Sequence, residues 1–385
     1  MLSQSVPKQT PALVVDHEAL IHNLTAMQAA CDGAGVRLRA HGKMHKCSIL
    51  GQLQVKHGAV GLCCQTVGEA QAYAEAGIDN LLISAPIPQW GAAPVAQLAA
   101  RTGATLSVVC DSEAQILRLG AAASAAGVEL GCLVDVNIGM HRVGCTVEEA
   151  PKLASLIAGQ PGLRYEGIQA YFGHLQHLAK DRASANAEGT RILAELVQSL
   201  TEAGLAPNTV TGGGTGTYAY DLQAGVFNEL QCGSYALMDG EYGDCGAPLG
   251  EWPFKPAMFI ASSVISAKHK SHVTIDVGLK ATSMDVPPRV FAGAPAGSQW
   301  RSLGDEHGAI LHPAILPHLK GGADIATIDA DTRIDWPIDA PKEGDIVWLQ
   351  PGHCDPTINL YDAFFVTMAD GSLDRWPIDA RRTSA

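Results

Sequence analysis

The feature that most constrains this chain is an alternation of two periodicities. Short apolar runs recur at Val36 to Ala40, Val60 to Cys64, Leu81 to Ala85, Leu106 to Cys110, Leu130 to Val136, Tyr165 to Ala170, Thr209 to Thr211 and Glu229 to Gln231. Between them lie longer, alanine-rich segments with apolar residues at helical spacing, such as Val67 to Glu75, Ser112 to Ala126, Val147 to Ile157 and Ser184 to Ala203. Several of these segments close on a glycine (Gly77, Gly127, Gly159, Gly204), the residue that best tolerates the left-handed conformation after a helix. A strand that returns through a helix runs parallel to its predecessor. Regular strand and helix units therefore predict the α/β class, and eight of them predict a closed (β/α)8 TIM-type barrel. An open, doubly wound sheet uses the same units, and periodicity does not separate the two.

The texture changes after about Asp239. Proline and tryptophan interrupt the chain at Pro248, Trp252, Pro253 and Pro256. Short alternating runs replace helices at Phe259 to Ala267, Val273 to Val277, Ile346 to Leu349 and Phe364 to Met368, which predicts a second, mostly antiparallel β domain. Lys320 to Lys342 reads as a loop-rich insertion. At the other end, Thr10 to Val15 is a short β-branched run, and Asp16 is placed to cap a helix carrying Leu20, Leu24, Met27 and Cys31.

Composition excludes several classes of partner. The formal charge is −13, which argues against nucleic acid and anionic membranes, since both demand a basic surface. With 47% hydrophobic and 17% charged residues the chain can bury a large core. Met1 to Thr10 lacks the basic start and apolar run of a secretory signal, and no stretch approaches the about 18 apolar residues of a membrane span. None of the ten cysteines lies in a C-x-x-C pair, so buried free thiols in the cytoplasm are expected.

Chemistry-bearing residues collect after the apolar runs. Arg39-Ala40-His41-Gly42-Lys43-Met44-His45-Lys46 puts a lysine where a strand hands over to a helix, the end of an α/β fold where reactions take place. A partly desolvated amine there can carry an aldehyde as a Schiff base. If the strand persists, Arg39, His41 and Lys43 share a face at the barrel mouth. Gly212-Gly213-Gly214-Thr215-Gly216-Thr217 follows the seventh run, and Gly233-Ser234-Tyr235 follows the eighth; barrels commonly bind phosphate there with backbone amides. His353 and Asp355, two apart after an apolar strand, project to one side of an extended chain and can share a divalent ion, with Mg²⁺ or Mn²⁺ suiting a site that keeps water. His174 and His177, in Tyr171-Phe172-Gly173-His174-Leu175-Gln176-His177, are both placed to act as a base. Gln65 and Asp305 are lesser candidates.

Together with Asp135 to Gly144 and Gly352-His353-Cys354-Asp355-Pro356-Thr357, these motifs resemble, in order over nearly the whole chain, the metal-activated D-threonine aldolase and 3-hydroxy-D-aspartate aldolase family. That family is the pyridoxal 5'-phosphate (PLP) branch that shares the alanine racemase fold with eukaryotic-type D-serine dehydratase. The resemblance implies that the first strand joins the β domain, giving a barrel over 17–240 and a β domain of 1–16 with 241–385. It implies that Lys43 holds PLP and Arg142 approaches its phenolic oxygen. Tyr171, Gln65, Gly214, Thr215, Gly216, Gly233, Ser234 and Tyr235 would line the cofactor. His353 and Asp355 would bind manganese or magnesium, and His177 would take the proton of the substrate hydroxyl. Aldolases of this kind carry His-x-Asp where the dehydratases tend to carry His-x-Cys. The implied enzyme is a cytoplasmic carbon–carbon lyase, a homodimer, cleaving a D-β-hydroxy-α-amino acid. D-serine or D-3-hydroxyaspartate dehydration is the nearest rival, and a PLP-carrying homeostasis protein the rival from another class.

Overall fold

The structure, a computed structural model, describes residues 6–320 and 339–381. Most of the expected insertion at Lys320 to Lys342 thus lies outside the described residues. The chain divides into two compact units, one of Met1–His22, Ala236–Asp244 and Phe254–Ile378, the other of Asn23–Tyr235, Cys245–Pro253 and Asp379–Ala385.

The first strand, β1 (Ala12–Asp16), precedes the barrel strands β2 (Arg37–His41), β3 (Gly61–Cys64), β4 (Asn80–Ile83), β5 (Thr105–Cys110), β6 (Leu130–Val136), β7 (Leu163–Ala170), β8 (Thr209–Gly212) and β9 (Glu229–Leu230). β2 to β9 pair in parallel and in sequence, and β9 pairs back to β2 through Arg37 with Glu229 and Leu38 with Leu230, so the barrel is closed. Closure decides against the open-sheet alternative. The helices behave as their sequence directs. Thr66 caps Val67–Glu75 by accepting a hydrogen bond from the Glu69 amide (3.2 Å), and Glu113–Ala126 stops at Gly127, whose φ is 68°.

The barrel interior is filled rather than hollow. Cys63, Leu82, Val109 and Leu133 form a buried cluster across four adjacent strands. Burying each such side chain contributes about 1.5–3 kcal/mol, which only a closed sheet can collect from all strands at once. Below this cluster, Arg39 donates to Glu229 (2.8 and 3.1 Å) and to Asn80 (2.7 Å), both at the first residues of their strands. Arg39 therefore points inward but toward the end opposite the mouth. The expectation that it shares the mouth with Lys43 fails because β2 ends at His41 and Lys43 lies in the turn beyond.

The other unit is a nine-stranded sheet built around β1. Its further strands are β10 (Met258–Ser266), β11 (His272–Ile275), β12 (Arg289–Ala292), β13 (Gln299–Ser302), β14 (Gly308–Leu311), β15 (Ile346–Gln350), β16 (Ala363–Thr367) and β17 (Leu373–Pro377). β1 runs antiparallel to β10 and parallel to β16; the other pairings described in this sheet are antiparallel. Val14, Phe259, Ala261 and Trp348 form its buried cluster, so the first strand of the chain is held by residues more than two hundred positions later.

Candidate active site

In the barrel unit, Lys43 is half-buried in a turn fixed from several directions. The Tyr73 hydroxyl donates to the Gly42 carbonyl (2.7 Å), as does the Lys46 amide (2.9 Å). A Cβ on Gly42 would sit 2.7 Å from the Tyr73 ring, so glycine is required for this packing. His41 accepts from the Lys43 amide through Nδ1 (3.4 Å) and meets the Ser84 hydroxyl through Nε2 (3.1 Å). Gly233 packs on the same turn, where a Cβ would lie 3.2 Å from the His41 Cβ. The other basic residues of this stretch have partners within the protein: His45 with Gln54 (3.1 Å) and Lys46 with Glu69 (3.5 Å).

The loop after β8 is buried from Gly212 to Thr217. Gln176 holds it, accepting from the Gly216 amide (2.9 Å) and donating to the Thr217 hydroxyl (3.0 Å) and the Phe172 carbonyl (3.2 Å). Arg182 braces the loop by donating to the Gly216 carbonyl (3.0 Å) and to those of Cys245 (3.0 Å) and Gly246 (2.9 Å). This guanidinium is buried and forms no ion pair among the described residues. Asp221 accepts from the Thr217 hydroxyl (2.6 Å) and from Asn186 (2.7 Å); burial pushes its carboxyl up to about 7 against those bonds. Thr215 accepts from the Tyr235 amide (3.0 Å), which brings the two expected phosphate segments together. Tyr235 is itself a core residue, its hydroxyl accepting from Gln54 (3.2 Å).

The donors fit a phosphate. Among the described residues no hydrogen bond uses the backbone N–H of Thr215 or Ser234, and the buried Arg182 supplies local positive charge beneath a chain that is acidic overall.

At the same end of the barrel, Arg142 lies over the Tyr171 ring, 5.6 Å from its centre. These two line a small cavity with Asn137, Gln169 and Asp135. Gln169 donates to Asp135 Oδ1 (2.9 Å) and accepts from Gln231 (3.0 Å), whereas the buried Asp135 Oδ2 has no hydrogen-bond partner, an orphan that fits a polar ligand group. Burial pushes Asp135 up to about 6, opposed by Gln169 and Arg142. His177 and His174 are both exposed beyond β7. Burial, then His141, lowers the His174 imidazole. Gln65 lies at the end of β3, in a separate cleft with Lys46, Glu69 and Trp90.

In the sheet unit, His353 and Asp355 come together, Nε2 to Oδ2 at 3.8 Å. The reason differs from the one expected. His353 is extended, but Cys354–Ile358 is a short helix, so a turn rather than strand alternation brings the carboxylate round to the imidazole. Cys354 is buried. The buried Asp239 accepts from the amides of Cys354 and Tyr242 (both 3.1 Å) and pins this helix start; burial pushes Asp239 up to about 6. His353 Nδ1 bonds Asp285 at 2.5 Å. Burial pulls the His353 imidazole down, and the surrounding Asp285, Asp355 and Asp239 carboxylates outweigh it, so its net shift is upward. No group of three or more His, Cys, Asp or Glu side chains placed to hold a metal occurs among the described residues. A two-ligand pair fits a hard divalent cation that retains most of its water. Asp305 is exposed and pairs with Lys280 (3.5 Å).

Gln176, Arg182 and Asp285 escaped sequence reading because each acts on a partner distant in the chain. The one local sign was a glutamine set between two histidines.

The family model for the alanine racemase N-terminal domain matches residues 15–240, and a serine dehydratase domain model matches 257–367. A 3-hydroxy-D-aspartate aldolase of Paracoccus denitrificans is 37% identical over 385 residues, covering 97% of this chain and 92% of that protein. The crystal structure of a D-threonine aldolase from Filomicrobium marinum superposes with a TM-score of 0.85 at 34% identity, over 97% of this chain and 96% of its own. A D-threo-3-hydroxyaspartate dehydratase of a Delftia species is more distant, 25% identical over 95% of this chain and 96% of its own.

Proposed function

The chain belongs to the family of D-threonine and 3-hydroxy-D-aspartate aldolases built on the alanine racemase fold, and from that premise we propose that it cleaves D-configured β-hydroxy-α-amino acids to glycine and an aldehyde. The observation that carries the choice of cleavage over dehydration is the His353 and Asp355 pair, a carboxylate where a dehydratase would carry a thiolate. PLP, when bound, supplies the electron sink for the pair left on Cα, and a divalent cation, manganese or magnesium, supplies Lewis acidity at the hydroxyl.

The protein's own residues do the rest. Lys43 offers the amine that anchors the cofactor aldehyde. The loops Gly214 to Gly216 and Gly233 to Tyr235 frame the phosphate site, where the Thr215 and Ser234 amides would donate to it, and the buried Arg182 adds charge that costs no reorganisation. Arg142, steadied over Tyr171, presents a permanent cation to an anionic ring oxygen. His353 and Asp355 would hold the cation. His177 takes the hydroxyl proton as the Cα–Cβ bond breaks.

All ten cysteines are free thiols, and among the described residues no helix is long and apolar enough to cross a membrane, which supports a cytoplasmic enzyme. We further propose a homodimer, measurable by light scattering. Incubation with D-threonine and with D-3-hydroxyaspartate should yield glycine and aldehyde, and exhaustive chelation should abolish it until manganese is returned. Keto acid and ammonia instead would make the protein a dehydratase. Borohydride reduction should label Lys43 alone, and Lys43→Ala should lose the visible-edge absorbance of the bound cofactor; labelling elsewhere would overturn the assignment.

A further inference from the structure

We infer that Asp285 is the positioning residue of the metal pair, fixing which imidazole nitrogen of His353 faces the ion and the direction in which it points. The inference rests on the reading of His353 and Asp355 as metal ligands. Nothing in the local sequence ties Asp285 to that motif, from which it is 68 residues distant.

A histidine binds a metal through a nitrogen lone pair, so the neutral ring must carry its proton on the other nitrogen. In His353 that other nitrogen is Nδ1, 2.5 Å from Asp285 Oδ2, and Nε2 is the atom turned toward Asp355 at 3.8 Å. Accepting from Nδ1–H selects the tautomer with a lone pair on Nε2 and makes that nitrogen more electron-rich. It also stops the ring from rotating about its Cβ–Cγ bond.

The orienting carboxylate is itself held. Asp285 Oδ1 accepts from the Val286 amide (3.0 Å) and from the Ser283 hydroxyl. Ser283 in turn donates its amide to the Thr357 hydroxyl (3.2 Å), and that hydroxyl donates to the His353 carbonyl (2.8 Å). The chain of contacts therefore closes on itself, from the His353 ring through Asp285, Ser283 and Thr357 back to the His353 backbone. A carboxylate meeting a surface histidine by chance has no reason to be anchored at its far oxygen and through a ring of bonds to the same residue. With only two protein ligands for the ion, orientation of each one governs affinity more than it would in a closed four-ligand cage.

The test is a manganese titration of the metal-stripped, PLP-loaded full chain, read by calorimetry, for wild type, Asp285→Ala, Asp285→Asn and His353→Ala. Asp285→Ala should weaken manganese binding about 10- to 100-fold, the range seen for lost outer partners of ligating histidines. Asp285→Asn, which keeps an acceptor oxygen without the charge, should fall between. His353→Ala should lose the site. For Asp285→Ala the manganese concentration for half-maximal activity should rise in step, while the melting temperature of the metal-stripped protein stays close to wild type; a purely structural role would move the melting temperature instead. Asp285→Ala within about twofold of wild type, with His353→Ala abolishing binding, would overturn the inference and leave the metal reading standing. Wild-type affinity in His353→Ala would remove the metal reading and the inference with it. Should Asp285→Ala fail to fold, Asp285→Asn and Ser283→Ala, which loosens the carboxylate alone, decide the matter by the same criterion.

Discussion

Replacing Gln176 with alanine cuts three buried hydrogen bonds at once, and the structure says which of the three matters. The Phe172 carbonyl keeps its bond from the Leu175 amide (3.0 Å), and the Thr217 hydroxyl keeps Asp221 (2.6 Å). Only the Gly216 amide is left without a partner, because the Gln176 Oε1 at 2.9 Å was its acceptor. A buried donor so orphaned costs about 1–3 kcal/mol, and the space vacated beside Gly214 and Gly216 adds about 1 kcal/mol. We therefore expect the Gln176→Ala apoprotein to be about 2–4 kcal/mol less stable, seen as a lower midpoint in denaturant unfolding. The same cut lets the loop after β8 leave the shape that faces the phosphate. If about 1.4 kcal/mol of the loss is felt in binding, PLP affinity falls about tenfold, measured by titrating the apoprotein and following cofactor absorbance. Activity at saturating PLP should fall far less than affinity. A variant with an unchanged unfolding midpoint and PLP affinity within about twofold of wild type would refute the claim that Gln176 holds the loop.

The remaining predictions follow from the same geometry. Asp221 has its carboxyl raised from 3.8 to about 7 by burial, so the fold favours its protonated form. Its contribution to stability is complete below about pH 4 and is lost as pH rises through about 7. Asp221→Asn should flatten that limb, so that the difference in unfolding midpoint between variant and wild type grows in the variant's favour from about pH 4 to pH 8; a pH-independent difference would refute the assignment. Gly42→Ala should destabilise by about 1–3 kcal/mol and weaken PLP binding, because the new methyl would meet the Tyr73 ring at 2.7 Å and push the Lys43 turn away. Calorimetric melting and cofactor titration read the two effects, and pairing the change with Tyr73→Leu, which clears the space, should restore part of the cofactor affinity.

The alternation of apolar runs and alanine-rich segments determined the eight strand-and-helix units by itself, since strand and helix periods are local, whereas their closure into a barrel was decided only by the pairing of β9 back to β2. Leu130 to Val136, read from pattern alone, is a strand with those same ends in the structure. The places of Lys43, the glycine loop, and His353 with Asp355 at the ends of apolar runs were legible in the same way, whereas the roles proposed for them came from the family resemblance. Tertiary structure decided the rest. Arg39 looked like a mouth residue until the register of β2 set it beside Gly61, where Glu229 and Asn80 claim it at the far end. The carboxylate of Asp355 reaches His353 through a helical turn that alternation did not foresee. Gln176, Arg182 and Asp285 gain their roles from partners 34 to 68 positions away. Such pairings depend on where strand closure and sheet register deliver each backbone atom, and spacing along the chain carries no record of that.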